Sequence, residues 1–234
     1  MTEDRRSEIE TGLSDVRARI AQACADAGRG PEEVTLIVVT KFFPAADVRL
    51  LADLGVQHVG ENRHQEAVEK AAECADLGLD WHFIGALQSN KAAAVAGYAA
   101  AVHSIDRPKL LSGLSRGAQE QGRELDCVVQ VSLDPPGASG RSGAAVADVP
   151  AIAERIMETE ALRLRGVMGV APLGGDAGEA FADLAAVAAV VRRDAPKATW
   201  ISAGMSEDLE HAVLHGATHL RIGSAVLGPR PVVK

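Results

Sequence analysis

Aromatic residues are nearly missing from this chain. Two tryptophans, one tyrosine and four phenylalanines make up 3% of its 234 residues, so a core has to be built from Ala, Val, Leu and Ile. Hydrophobic residues, at 47%, supply enough of them. A basic surplus is missing too. The 24 Lys and Arg are outnumbered by 32 Asp and Glu, for a net charge of −8. That argues against a nucleic-acid partner, which would need a basic face, and is an ordinary solubility charge. Cys24, Cys74 and Cys127 are odd in number and far apart. They offer neither a disulfide framework nor a metal spacing, and read as small buried apolar residues. No apolar run reaches the length of a membrane span. The opening MTEDRRSEIE lacks the apolar stretch of a secretory signal. The expectation is a cytoplasmic protein with no membrane contact and no metal site. Neither a P-loop nor a Gly-x-Gly-x-x-Gly motif is present, which disfavours nucleotide binding by those routes.

What the chain does have is a regular alternation. A helix over about 3–27 repeats Ile9, Leu13, Val16, Ile20 and Ala23 at spacings of three and four. Then come eight short apolar runs, near 34–40, 57–60, 81–84, 100–104, 126–132, 164–168, 198–202 and 218–222. Nearly every run is followed by a helical pattern. Such alternation predicts a parallel sheet. Eight units in this length fit a closed (β/α)8 TIM barrel with an extra N-terminal helix, in one domain spanning 1–234 with the barrel over about 34–230. An open sheet of seven or eight strands is the alternative. Residues 134–143, rich in Pro, Gly and Ser, break every pattern and read as a loop and candidate flap.

In a parallel barrel the chemistry gathers at the carboxyl ends of the strands. Lys41 stands there, directly after the first strand. Taken alone it reads equally well as a lysine leaving the core for solvent. The loops after strands seven and eight commonly form a phosphate site. Here they read Ser202-Ala-Gly-Met-Ser206 and Arg221-Ile-Gly-Ser224, with glycines for close approach and hydroxyls to donate. A helix-capping role for Gly204 and Ser206 is the simpler reading of either loop by itself. Two adjacent loops with matching chemistry point instead to phosphate. A strand-end lysine beside a phosphate suggests a phosphate-bearing aldehyde held as a Schiff base, since partial burial favours the neutral amine that must attack.

Seven segments carry a family resemblance: Val38-Val-Thr-Lys41, Gly60-Glu-Asn62, Trp81-His-Phe-Ile-Gly85 with Leu87-Gln-Ser-Asn-Lys91, His103-Ser-Ile-Asp106, Leu162-Arg-Leu-Arg-Gly-Val-Met168, Ser202-Ala-Gly-Met-Ser206 and Arg221-Ile-Gly223. In this order, over about 34–230, they resemble the pyridoxal phosphate homeostasis protein (YggS/PROSC) family, itself similar to the N-terminal barrel of alanine racemase. The resemblance implies pyridoxal 5′-phosphate (PLP) as a Schiff base on Lys41. It implies a carrier that buffers or delivers the cofactor without significant turnover, works as a monomer and meets PLP-dependent apo-enzymes transiently. It places Ser202, Gly204, Met205, Ser206, Gly223 and Ser224 in the phosphate cup, and Arg221 facing the pyridine nitrogen. It also places Asn62 near the ring oxygen and Met168 against the ring.

The sequence departs from the family pattern at Phe42, Ala86 and Leu227. A PLP-dependent racemase or lyase is the rival function, and a phosphosugar-binding barrel without PLP is a third. The racemase reading needs a second proton donor. Tyr98, the only tyrosine, falls in the helix after strand three, away from the strand-end rim. His82 and His103 lie on or beside strands and read as core histidines. The other five histidines have no metal-site partner at a recognised spacing.

Overall fold

The computed structural model describes residues 2–135 and 142–229. The predicted flap falls mainly on 136–141, outside the described residues. Eight parallel strands close into a barrel in chain order: β1 (Thr35–Val39), β2 (His58–Glu61), β3 (Asp80–Phe83), β4 (Ala101–Ile105), β5 (Leu125–Gln130), β6 (Leu162–Met168), β7 (Trp200–Ser202) and β8 (His219–Ile222). Closure is made by β8 against β1, with Thr35 opposite His219 and Val38 opposite Ile222. The open-sheet alternative is thereby excluded. All five residues of β4 are buried, as a strand covered on both faces requires.

The helices are α1 (Thr2–Asp26), α2 (Ala45–Asp53), α3 (His64–Glu73), α4 (Ala92–Tyr98), α5 (Leu111–Glu120), α6 (Val149–Met157), α7 (Ala177–Asp194), α8 (Leu209–Leu214) and α9 (Ser224–Leu227). The barrel helices turn apolar side chains inward, as α5 does with Leu111, Leu114 and Ala118. The α7 terminus is fixed by Asp176, whose carboxylate accepts from the Glu179 N–H at 3.1 Å. The predicted N-terminal helix buries Ile9, Leu13, Val16 and Ile20, each contributing about 1.5–3 kcal/mol. It lies across α8 and α9. Arg19 grips Glu210 through two hydrogen bonds at 2.8 and 3.0 Å. The helix approaches α9 so closely that a Cβ on Gly12 would sit 2.6 Å from the Val226 carbonyl oxygen.

One irregularity shapes the barrel interior. Cys127 pairs with Leu164, but Val128 pairs with Gly166, so Arg165 is an extra residue in β6. Such a bulge twists the strand and re-aims its side chains. Gly166 carries it at φ +151°, where a Cβ would meet the Trp200 carbonyl oxygen at 1.9 Å. Backbone cannot yield there as a flexible side chain could. Gly166→Ala is therefore expected to lower the unfolding free energy by about 2–5 kcal/mol, from strain and overpacking together. Urea denaturation measures it, and an unchanged midpoint would contradict the close β6–β7 approach.

Candidate functional site

The segment after β1 is held from below. Thr40 is fully buried and its N–H donates to the Gly60 carbonyl at 2.9 Å. The Lys70 ammonium, 8% exposed, donates to the Thr40 carbonyl at 2.7 Å, to Glu61 at 2.8 Å and to Glu66 at 2.6 Å. The Thr40 hydroxyl adds a 2.7 Å bond to the same Glu61 oxygen. Glu66 also accepts the Phe42 N–H at 2.5 Å. Phe42 itself stands at φ +72°, a region that a bulky residue occupies only when its surroundings compel it. Lys41 lies between the two clamped residues, half-buried. Burial raises the Glu61 carboxyl above its usual range, and Lys70 and Thr40 oppose that rise.

Lys41 opens into a cavity of about 480 Å³ at the carboxyl-end rim. Met205, Ser206, Arg221, Gly223 and Ser224 line it as well. Six of the ten predicted residues are thus brought together, Arg221 from β8 and the rest from the segments that follow β1, β7 and β8. The hydroxyls of Ser206 and Ser224 are 3.4 Å apart, close enough to serve one multi-oxygen anion. Glu207 and Asp208 share the wall, and the Asp208 carboxylate is turned to the Met205 N–H at 2.5 Å. Capping of the next helix does not use Gly204 or Ser206: Asp208 is the residue before α8, and no side chain caps it.

The other four predicted residues are placed elsewhere. Asn62 lines a neighbouring cavity of about 360 Å³ with Gln130 and Ser132, and Ile84 borders both spaces. Met168 and Ser202 are buried in the barrel, and Gly204 is packed against Ala212 and Leu220. None of these three lines the 480 Å³ cavity. Ser202 is the last residue of β7, and its hydroxyl is engaged inside the barrel with Arg221 at 2.7 Å and His103 at 2.8 Å. Tyr98 lines neither cavity; its ring stacks on His64 at 5.9 Å.

Arg221 joins the cavity to the barrel interior. It is 5% exposed, and its second terminal nitrogen donates to the Gly169 carbonyl at 2.9 Å. No carboxylate lies within ion-pair distance of it among the described residues. Burial lowers its pKa to about 10, against the smaller upward pull of Asp208, and leaves it cationic at neutral pH. Beneath it His103, His82 and His58 follow in sequence, joined at 2.9 and 3.1 Å. His103 on β4 reaches Ser202 on β7, strands that are not neighbours in the barrel, so this contact crosses the interior. His219 and Trp200 lie tilted against each other beside the column with ring centroids 4.0 Å apart, and the Arg165 guanidinium lies 4.5 Å from the Trp200 ring centre.

His82 and His103 are core residues, as their strand positions predict, but they are linked rather than isolated. The column was legible only as a coincidence: four of the seven histidines fall on strands. The Lys70 clamp had one local signal, the i, i+4 spacing of Glu66 and Lys70 on α3.

The alanine racemase N-terminal domain family matches residues 13–231. The pyridoxal phosphate homeostasis protein of Mycobacterium tuberculosis H37Rv is 42% identical over 244 aligned residues, covering 97% of this chain and 95% of that protein. Its counterpart in Escherichia coli K12 is 34% identical over 97% and 99%. Among solved structures, PipY of Synechococcus elongatus PCC7942 with PLP bound superposes with a TM-score of 0.82 at 37% identity, over 94% of this chain and all of PipY. Alanine racemase of Corynebacterium glutamicum, at 14% identity and a TM-score of 0.67, shares the fold over 98% of this chain and 64% of its own.

The buried histidines make stability depend on pH. Burial pushes His82 and His103 well below the ordinary imidazole range and His219 down to about 3. The unfolded chain binds protons at these sites near pH 6.5, where the folded chain does not. Stability is therefore retained above that pH and lost as pH falls below it toward the folded values. Each histidine contributes a slope of about 1.4 kcal/mol per pH unit. Urea unfolding is expected to weaken by roughly 3–4 kcal/mol between pH 6 and pH 5 with all three acting. A flat profile there would show that these rings titrate normally.

Proposed function

The chain belongs to the pyridoxal phosphate homeostasis protein family, and from that premise we propose that it holds PLP as a Schiff base on Lys41 and buffers or delivers it without significant turnover. The observation that carries this reading is the shared cavity. It combines an amine at a strand end, a hydroxyl pair suited to a phosphate, and a buried guanidinium with no carboxylate partner among the described residues. Attachment joins Lys41 Nζ to the cofactor's aldehyde carbon and releases one water. Bound PLP supplies a reactive aldehyde and an electron-withdrawing ring.

The residues of this chain then divide the work. The Lys70–Glu61–Glu66 clamp orients the Thr40–Phe42 backbone and so aims Lys41. Ser206, Ser224 and the Gly223 backbone take the phosphate, and Met205 covers the wall beside them. Arg221 faces the pyridine nitrogen and, as a donor-only group, disfavours a proton there. An unprotonated ring is a weak electron sink, which supports holding over turnover. Asn62 fits the far edge of the ring, where the two cavities meet at Ile84. Met168, Ser202 and Gly204 support this floor from beneath rather than touching the cofactor. We read the protein as a monomer that meets apo-enzymes transiently in the cytoplasm. The three buried free cysteines fit a reducing compartment, and no helix among the described residues is long and apolar enough to cross a membrane.

Borohydride reduction of the PLP-loaded protein should fix the cofactor to the peptide containing Lys41, and Lys41→Ala should lose the reducible visible band. The same band persisting in that variant, with the adduct mapped to another lysine, would remove Lys41 from the role. Ser206→Ala with Ser224→Ala should weaken PLP retention by two or more decades while sparing pyridoxal. The basis is that hydrogen bonds to a charged group contribute about 1.5–3 kcal/mol each. Equal losses for both ligands would place the phosphate elsewhere.

A further inference from the structure

Arg221 sets the direction of every hydrogen bond in the column beneath it. A guanidinium only donates, so the Ser202 oxygen must accept from it at 2.7 Å. The serine's own proton then has one partner among the described contacts, His103 Nδ1 at 2.8 Å. Accepting at Nδ1 puts the His103 proton on Nε2, which faces His82 Nδ1 at 2.9 Å. His82 is placed the same way, and its Nε2 proton is directed at His58 Nδ1, 3.1 Å away. The reversed order would leave the buried Ser202 proton without an acceptor, at the cost that such groups carry.

We propose that His103, His82 and His58 are positioning residues: a one-way hydrogen-bond chain, with the protons of His103 and His82 on Nε2 and His58 Nδ1 as the last acceptor, that compensates the buried Arg221 cation and holds it toward the cofactor pocket. Every link turns its electron-rich end toward the guanidinium and its proton away. Three imidazoles and a hydroxyl thus do by aligned dipoles what a carboxylate does elsewhere. A carboxylate in this place would bind Arg221 as a salt bridge and cancel the charge offered to the ligand. The dipole chain leaves that charge available. The inference rests on the PLP reading only for what Arg221 faces.

The surroundings keep His82 and His103 neutral. His219 and Trp200 lie 6.2–6.4 Å from the His82 and His103 ring centres. Arg165 lies over Trp200, and Arg221 caps the upper end. Burial is the main force against a proton on His82 and His103; His58 and His219 add to it at His82, and His82, His219 and Arg221 add to it at His103. At the lower end of the column stands Asp80, with a carboxylate oxygen 3.5 Å from His58 Nδ1 at the amino-end mouth, where His58 is 32% exposed. The chain therefore runs from the opposite mouth of the barrel to the floor of the pocket.

The test is nitrogen NMR on the unliganded full chain labelled with 15N-histidine, using couplings between ring nitrogens and carbon-bound ring protons to read each tautomer. The expected result at neutral pH is a neutral Nε2–H form for His82 and His103. A proton on Nδ1 of His82 or His103, or an imidazolium at either, overturns the proposal. Ser202→Ala then severs the column from Arg221. It should turn the single His103 tautomer into a mixture and shift the pH profile of the bound-PLP absorption by about half a unit or more, and Ser202→Thr should restore both. A folded Ser202→Ala protein with wild-type tautomers and profile also overturns the proposal. If that variant does not fold, the wild-type tautomers decide alone. The tautomer pattern needs no cofactor, so a protein that shows it but takes up no PLP refutes the cofactor reading and not the chain.

Discussion

A guanidinium buried at 5% exposure with no carboxylate in ion-pair range among the described residues is the constraint that the rest of the structure answers. Removing a charge from water costs several kcal/mol even after relaxation, so the barrel has to return that energy through oriented dipoles. The interior shows how. Closed barrels of this kind usually fill their centre with layers of branched aliphatic side chains. Here His82, His103, Ser202, His219 and Arg221 are all buried among the strands. The bulge at Arg165 and Gly166 brings β6 close against Trp200 and its neighbours. A polar core costs stability in acid and supplies a fixed positive charge at the pocket floor.

The second constraint lies across the cavity. Lys41 is useful only if its amine returns to the same place, yet it sits on a turn rather than on a strand. The Lys70 network solves this by gripping the residues on both sides of it. Phe42 at φ +72° shows that the grip outweighs the local backbone preference. Strain of this kind persists where surrounding contacts over-determine a conformation. The two sides of the site thus follow one design. On each side a buried polar network beneath the rim fixes a basic side chain that opens into the cavity.

The shared barrel does not decide activity. At 14% identity the alanine racemase superposition speaks for the fold alone, and function has to be argued from the site. On the proposed reading, two features of the site favour retention of a cofactor over amino-acid chemistry. Arg221 disfavours protonation of the ring it would face. Tyr98, which would be needed as a second proton donor, is packed against His64 away from both cavities.

The sequence by itself determined the alternation of strands and helices, the front helix and the strand-end position of Lys41, and it favoured the closed barrel over an open sheet. These follow from continuous apolar runs, the 3.6-residue period of the helices and turn chemistry, which are local properties. It also determined that the loops after β7 and β8 are rich in hydroxyls and glycine, and its motifs pointed to the family. Only the tertiary structure decided which of those residues reach the cavity. Ser202 and Ser206 are four positions apart and chemically alike, yet one ends a strand inside the barrel and the other lines the pocket. The histidine column was equally out of reach of local reading. Its members come from β2, β3 and β4, and its contact with β7 crosses the barrel, so only closure brings them within hydrogen-bond distance. The direction of that chain is set by a donor-only group on β8, far along the sequence, because a hydrogen bond has a polarity that composition and spacing do not record.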